Sequence, residues 1–177
     1  DVSRFVFCFG ANTLGVTTQD PMLLRWSDQE DPTNWTPSAT NQAGDLKLSI
    51  GSEIINAIQA SQEILIWTDA ALYALQYVGA PIVWGSQLLA DNVSIASQNS
   101  ATFAAGVTYW MGLDSFYVYD GRVSVLPCSV KRHVFRDLNS EQIEQSFAGS
   151  NEAFSEIWWF YPSTDSTTVD KYVVYNY

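Results

Sequence analysis

The chain has 177 residues, of which 47% are hydrophobic and 14% aromatic, and it carries a net charge of −11. This length can bury a real core, and charged residues at 15% are too few and too interleaved with apolar ones for a disordered chain. Such an acidic balance repels phosphates and disfavours a nucleic-acid grip over most of the surface, and no run approaches the roughly 18 apolar residues of a membrane span.

Apolar alternation predicts a first pair of strands over 4–9 and 22–26, joined by a Gly/Asn/Thr-rich loop over 10–21. Cys8, between Phe7 and Phe9, reads as a small core residue. The other cysteine, Cys128, lies 120 positions on, and two such thiols suggest neither a disulfide framework nor a zinc site. An irregular polar segment over 27–44 holds Pro32, Pro37 and Gly44, residues that stop strands and set turns. Period-two alternation over 45–49 predicts a half-buried strand.

Further strands are predicted over 54–58, 63–67, 72–77 and 83–89, with a turn at Asp69 and Ala70. The next group falls at 102–105, 107–111, 116–119 and 123–126, its last pair joined by Asp120-Gly121, a strong hairpin signal between apolar runs. Val130, Val134 and Leu138 then recur every four positions, which predicts a short amphipathic helix over 129–138 with Ser129 as its cap. Strands over 146–148, 156–161 and 171–175 follow, the last two separated by an exposed Ser/Thr/Asp-rich loop over 162–170. The chain starts at Asp1 and stops inside a predicted strand at Tyr177, so it reads as part of a longer protein.

Three stretches resemble one another: an aromatic strand, a polar turn, and a second strand closing on Tyr77, Tyr119 or Tyr175, with spacings of 42 and 56 positions. A fainter copy closes on Trp26. Repeats of about 40–50 residues with several strands each are the mark of radially repeated sheets. The expectation is therefore an all-β fold of β-propeller-like repeats, with antiparallel three- to four-stranded blades over about 4–50, 52–90, 93–127 and 140–177 and one short helix near 129–138. The whole of 1–177 is read as a single propeller-type region.

The densest polar cluster holds Asp28, Glu30 and Asp31, three acids in four positions. They are candidates to offer hard oxygens to Ca²⁺. The segment also resembles the Asp-box hairpin of sialidases, without its Gly and at a different spacing. The simpler reading is a solvated loop whose side chains close their own turns. No metal or cofactor is therefore expected. His133 is the single histidine, set among Lys131, Arg132 and Arg136, and no Gly-x-Ser-x-Gly elbow accompanies it. It reads as a surface residue. The three cations are three of the eight Lys and Arg residues, which makes Lys131, Arg132 and Arg136 candidates for the polar face of a helix or for docking an acidic neighbour. Asp69, Asp114 and Asp120 recur at corresponding turns, as turn formers do, although paired carboxylates also serve glycoside cleavage. With no phosphate loop, no CxxC pair and no HExxH, no catalytic residues are assigned and an enzyme is not expected.

The segment 18–37, with Trp26, Asp28, Asp31, Pro32 and Trp35, is similar to one in the tail-hub proteins of short-tailed bacteriophages, also called DNA stabilisation or head-completion proteins. So are 41–46, the pair Tyr109-Trp110-Met111-Gly112 and Phe116-Tyr117-Val118-Tyr119-Asp120-Gly121, and Ile157-Trp158-Trp159-Phe160-Tyr161-Pro162. The resemblance spans nearly the whole chain and is carried by structural motifs. It implies a propeller-bearing virion protein arranged with copies of itself in a ring, commonly of six, below the portal or adaptor protein. That ring would continue the DNA channel, retain packaged DNA without reading its sequence, and seat tail fibres or spikes. The protein would be made in the host cytoplasm and reside in the virion. The rival expectation is a carbohydrate-binding or glycosidase-like propeller used in receptor recognition, marked by a pocket with exposed Trp beside two or more carboxylates, with Trp35 and Asp28 as the residues whose loss would reveal it.

Overall fold

A computed structural model of the chain describes residues 4–177. Strands account for 46% of the residues and helices for 7%, and the strands form four antiparallel sheets of three or four. The first sheet joins β1 (Phe7–Phe9), β2 (Leu23–Trp26) and β3 (Gly44–Lys47) in chain order. The second is β4 (Ile54–Gln59), β5 (Ile64–Thr68), β6 (Ala71–Gly79) and β7 (Val83–Asp91). The third is β8 (Ala101–Ala104), β9 (Val107–Met111), β10 (Phe116–Tyr119) and β11 (Val123–Val125). One helix, α1 (Lys131–Asp137), precedes the last sheet of β12 (Phe147–Asn151), β13 (Glu156–Tyr161) and β14 (Lys171–Asn176). Each sheet is a meander, so neighbours in sequence are neighbours in space and every link is short enough for a turn or loop.

Two compact units contain these sheets: one takes residues up to Ala57 with Glu63–Asp91, the other Ile58–Gln62 with Asn92–Tyr177. The first unit buries Leu24, Trp26, Leu48, Ile66, Tyr73, Leu75 and Trp84. Its rings meet edge to face, Phe7 on Trp84 at 4.9 Å and Phe5 on Trp84 at 5.5 Å, the arrangement that the ring quadrupole favours. The link from β3 to β4 is fastened to β6 and to the β5–β6 turn. Tyr73 Oη accepts from the Ile50 amide at 2.9 Å, and the Asp69 carboxylate accepts the Ser52 amide at 2.7 Å and the Ser52 hydroxyl at 2.6 Å. Between Ile50 and Ser52 the chain must be glycine. Gly51 sits at φ +117°, and a Cβ there would lie 2.5 Å from the Asp69 carboxylate.

The second unit buries Met111, Phe116, Val134, Ile157, Trp159 and Tyr161. Phe116 packs on Trp159 at 4.7 Å, and Trp159 Nε1 donates to the Ser100 carbonyl at 3.2 Å, so one side chain gives both apolar contact and a buried hydrogen bond. Ser97 Oγ donates to the Ser146 carbonyl at 2.5 Å and the Ala148 amide to the Asn99 carbonyl at 2.7 Å, which tie β12 to the segment leading into β8.

Three local expectations are corrected here. Cys8 is exposed rather than in the core. In β1 the faces alternate, and Phe7 and Phe9, stacked at 6.1 Å, take the core side because two phenyl rings bury far more area than one thiol. Ser129 does not cap α1. The helix starts at Lys131 after an N-cap at Val130 that makes no side-chain cap hydrogen bond. Of the expected stripe, Val134 is buried, Val130 is 45% exposed, and Leu138 already lies in extended backbone at the C-cap. Two turns of helix cannot present three positions spaced by four. Finally, the loop over 162–170 is not exposed throughout. Pro162 and Ser163 are buried, and Asp170 holds Ser163 by accepting its amide and its hydroxyl, each at 2.7 Å.

Candidate functional site

The acidic loop after β2 is organised by its own side chains. Asp28 Oδ1 accepts the amides of Gln29 and Gln42, both at 2.8 Å. Asp31 Oδ1 accepts the Thr33 amide at 3.0 Å and the Thr33 hydroxyl at 2.6 Å, and these bonds hold the Asp31 carboxyl below the usual aspartate range. Glu30 points elsewhere, to Arg4 at 2.7 Å. The three acids therefore face separate partners, and among the described residues no group of three His, Cys, Asp or Glu side chains gathers as a metal set.

The recurring turn acids likewise each close a local contact. Tyr117 Oη donates to Asp114 at 3.3 Å, and the Arg122 amide donates to Asp120 at 3.3 Å. Asp69 and Asp170 form the same clamp in the two units, each carboxylate taking both the amide and the hydroxyl of one serine. At Asp69, burial pushes the carboxyl up, but the hydrogen bonds from Ser52 and from the Glu53 amide outweigh it and the net direction is down. At Asp170 the Ser163 amide and hydroxyl lower it directly.

The basic candidates do come together. Arg132, His133 and Arg136 are exposed on α1, and Lys131 Nζ donates to the Ser115 hydroxyl at 2.5 Å. Ion pairs among the described residues use Arg4, Lys47 and Lys171, never these three cations. A hollow of about 420 Å³ runs along this side of the helix, lined by Cys128, Ser129, Lys131, Arg132, Phe135 and Arg136. A second, of about 510 Å³, lies in the first unit between Trp26, Pro37, Asp45, Pro81, Ile82 and Trp84.

A surface that the sequence reading missed is the outer face of the last sheet. Strand register sets out three rows there: Phe147–Phe160–Tyr172, Gly149–Trp158–Val174 and Asn151–Glu156–Asn176. Phe147 is 41% exposed, Tyr172 60% and Val174 37%. Phe147 stacks on Phe160 at 4.6 Å and 14°, and Trp158 stacks on Tyr172 at 4.9 Å and 29°. Together these stacked rings make one continuous aromatic surface across the three strands. Glu156 is the one charged residue in the nine positions and accepts Trp158 Nε1 at 3.0 Å. Charge depletion with aromatic enrichment is the composition of an interface centre. The signal was present in Trp158-Trp159-Phe160, because consecutive aromatics in a strand must point to both faces.

No protein-family model matches the chain, and no curated protein matches it.

Proposed function

We propose that this chain is a structural subunit in the tail of a short-tailed phage, acting through interfaces rather than through a reaction. In this reading the four sheets are blades of a β-propeller-type body, and copies of it form a ring, six in the expected case, below the portal or adaptor protein. The ring continues the DNA channel, retains the packaged genome and seats fibres or spikes. The observation that carries the reading is the outer aromatic face of β12, β13 and β14, which is built like a buried sheet face and left open to a neighbour. The net charge of −11 supports it as well, since an acidic wall lets DNA slide without adhering. Imaging the particle that contains this chain is the test. The expected result is density for several copies around a channel, with the β12–β14 face covered by protein. A monomer outside any virion, with that face bare, would overturn the reading.

A further inference from the structure

Besides the outer face of β12–β14, the hollow beside α1 offers a second surface for recognising another copy. We infer that this groove receives the acidic loop around Asp28, Glu30 and Asp31 of a second copy of the chain. The inference rests on the assembly reading and adds to it a specific pair of surfaces.

Charge is the first argument. Lys131, Arg132 and Arg136 contribute +3 to a chain of −11, so the remainder carries −14. Positive charge is scarce on this molecule, and three of its eight cations are gathered here, while their acidic complement is plentiful on the chain itself. The second argument is vacancy. Within 4 Å of these three cations there is no carboxylate among the described residues, although the acids outnumber the cations 19 to 8. Lys131 reaches only a neutral hydroxyl, on Ser115. Arg132 and Arg136 lie one helical turn apart, so their guanidinium groups can grip neighbouring carboxylates from one side.

Shape is the third argument. Phe135, packed on Phe116 at 5.1 Å, lines the groove beside the cations, so a docking segment meets an apolar ring and not only charge. The loop is held by its own contacts. Asp28 and Asp31 accept the amides of Gln29, Gln42 and Thr33, and Glu30 pairs with Arg4 at 2.7 Å in an exposed ion pair, worth little by itself, which docking would exchange for the groove's arginines. Pro32 follows Asp31 directly and offers an exposed apolar residue for that ring.

The pairing also has a symmetry consequence. Groove and loop are different surfaces, so each bound copy still offers one of each. Such a head-to-tail contact closes into a ring or grows as a filament.

Sedimentation of the whole chain at about 0.15 M salt, over rising concentration, tests this. The wild type is expected to self-associate, and to lose the association near 1 M salt, where screening reaches about 3 Å. Arg132→Glu with Arg136→Glu should weaken it by about tenfold or more, and Glu30→Lys with Asp31→Lys should do the same. Mixing the two double variants should restore association, because each acidic groove then faces a basic loop. Arg132→Gln with Arg136→Gln, a milder change at exposed positions, should weaken association less, and circular dichroism should report an unchanged fold. Failure of the mixture to restore association, or wild-type association that ignores both charge reversals, would overturn the groove and loop while leaving an assembly through another face. A wild type that stays monomeric at every concentration would remove both this inference and the self-assembly it builds on. Duplex DNA binding that vanishes in Arg132→Glu with Arg136→Glu would show that the groove serves phosphates, which also overturns it.

Discussion

The two faces of the last sheet carry almost the same kinds of residue and meet opposite fates. On β13, Ile157, Trp159 and Tyr161 face inward and are 0%, 1% and 2% exposed. Trp158 and Phe160, between them in sequence, face outward and are only half-buried. The inner tryptophan packs on Phe116 and donates to a backbone carbonyl, whereas the outer one stacks on Tyr172 and donates to a surface carboxylate. Aromatic content therefore does not measure burial in this chain. What separates the faces is whether a second sheet lies over them, and that difference makes the outer face informative about function.

The sharpest way to break the comparison is to truncate each tryptophan in turn. Trp159→Ala removes a fully buried ring and its hydrogen bond, and should cost about 3–5 kcal/mol of stability, read as a lower denaturant midpoint. Trp158→Ala removes cross-strand stacking on a solvated face and should cost about 1 kcal/mol. Equal costs would mean that the outer face is already core, and the argument that it awaits a neighbour would fail. An assembly that covers this face, as proposed, should narrow the difference between the two variants.

Strand positions were legible because runs such as Val107–Met111, Phe116–Tyr119 and Glu156–Tyr161 are apolar, β-prone and bounded by turn residues. Facing was less legible. Around Cys8 and along Trp158-Trp159-Phe160 both parities are apolar, so alternation alone cannot say which side the core occupies; only the partner sheet decides. The start of α1 was misread because Ser129 has the right chemistry for a cap but stands one residue before the Val130 that occupies the position. The basic cluster was visible in sequence as three cations within six positions, whereas its groove was not. The groove depends on Cys128, before the helix, and Phe135, on it, lining the same hollow, a placement no linear pattern records.

The smallest expected effect concerns the hairpin that carries the outer face. Asp170 fastens its loop through the amide and hydroxyl of Ser163, and these bonds favour the ionised carboxylate, so its folded-state affinity for protons is lower than in the unfolded chain. The unfolded carboxyl protonates near the usual value of about 3.9, while the folded one resists until lower pH. The clamp's contribution is thus fully present above that value and is lost as pH falls through the folded-state value. Hydrogen exchange at the Ser163 amide, corrected for its intrinsic pH dependence, should show protection that declines below about pH 4. Asp170→Asn keeps an acceptor but no titrating group, so its protection should be weaker at neutral pH and flat across the acid range. An acid decline as steep in Asp170→Asn as in the wild type would assign the effect to other carboxylates, and the outer face would then stand on a hairpin held by its strand pairing alone.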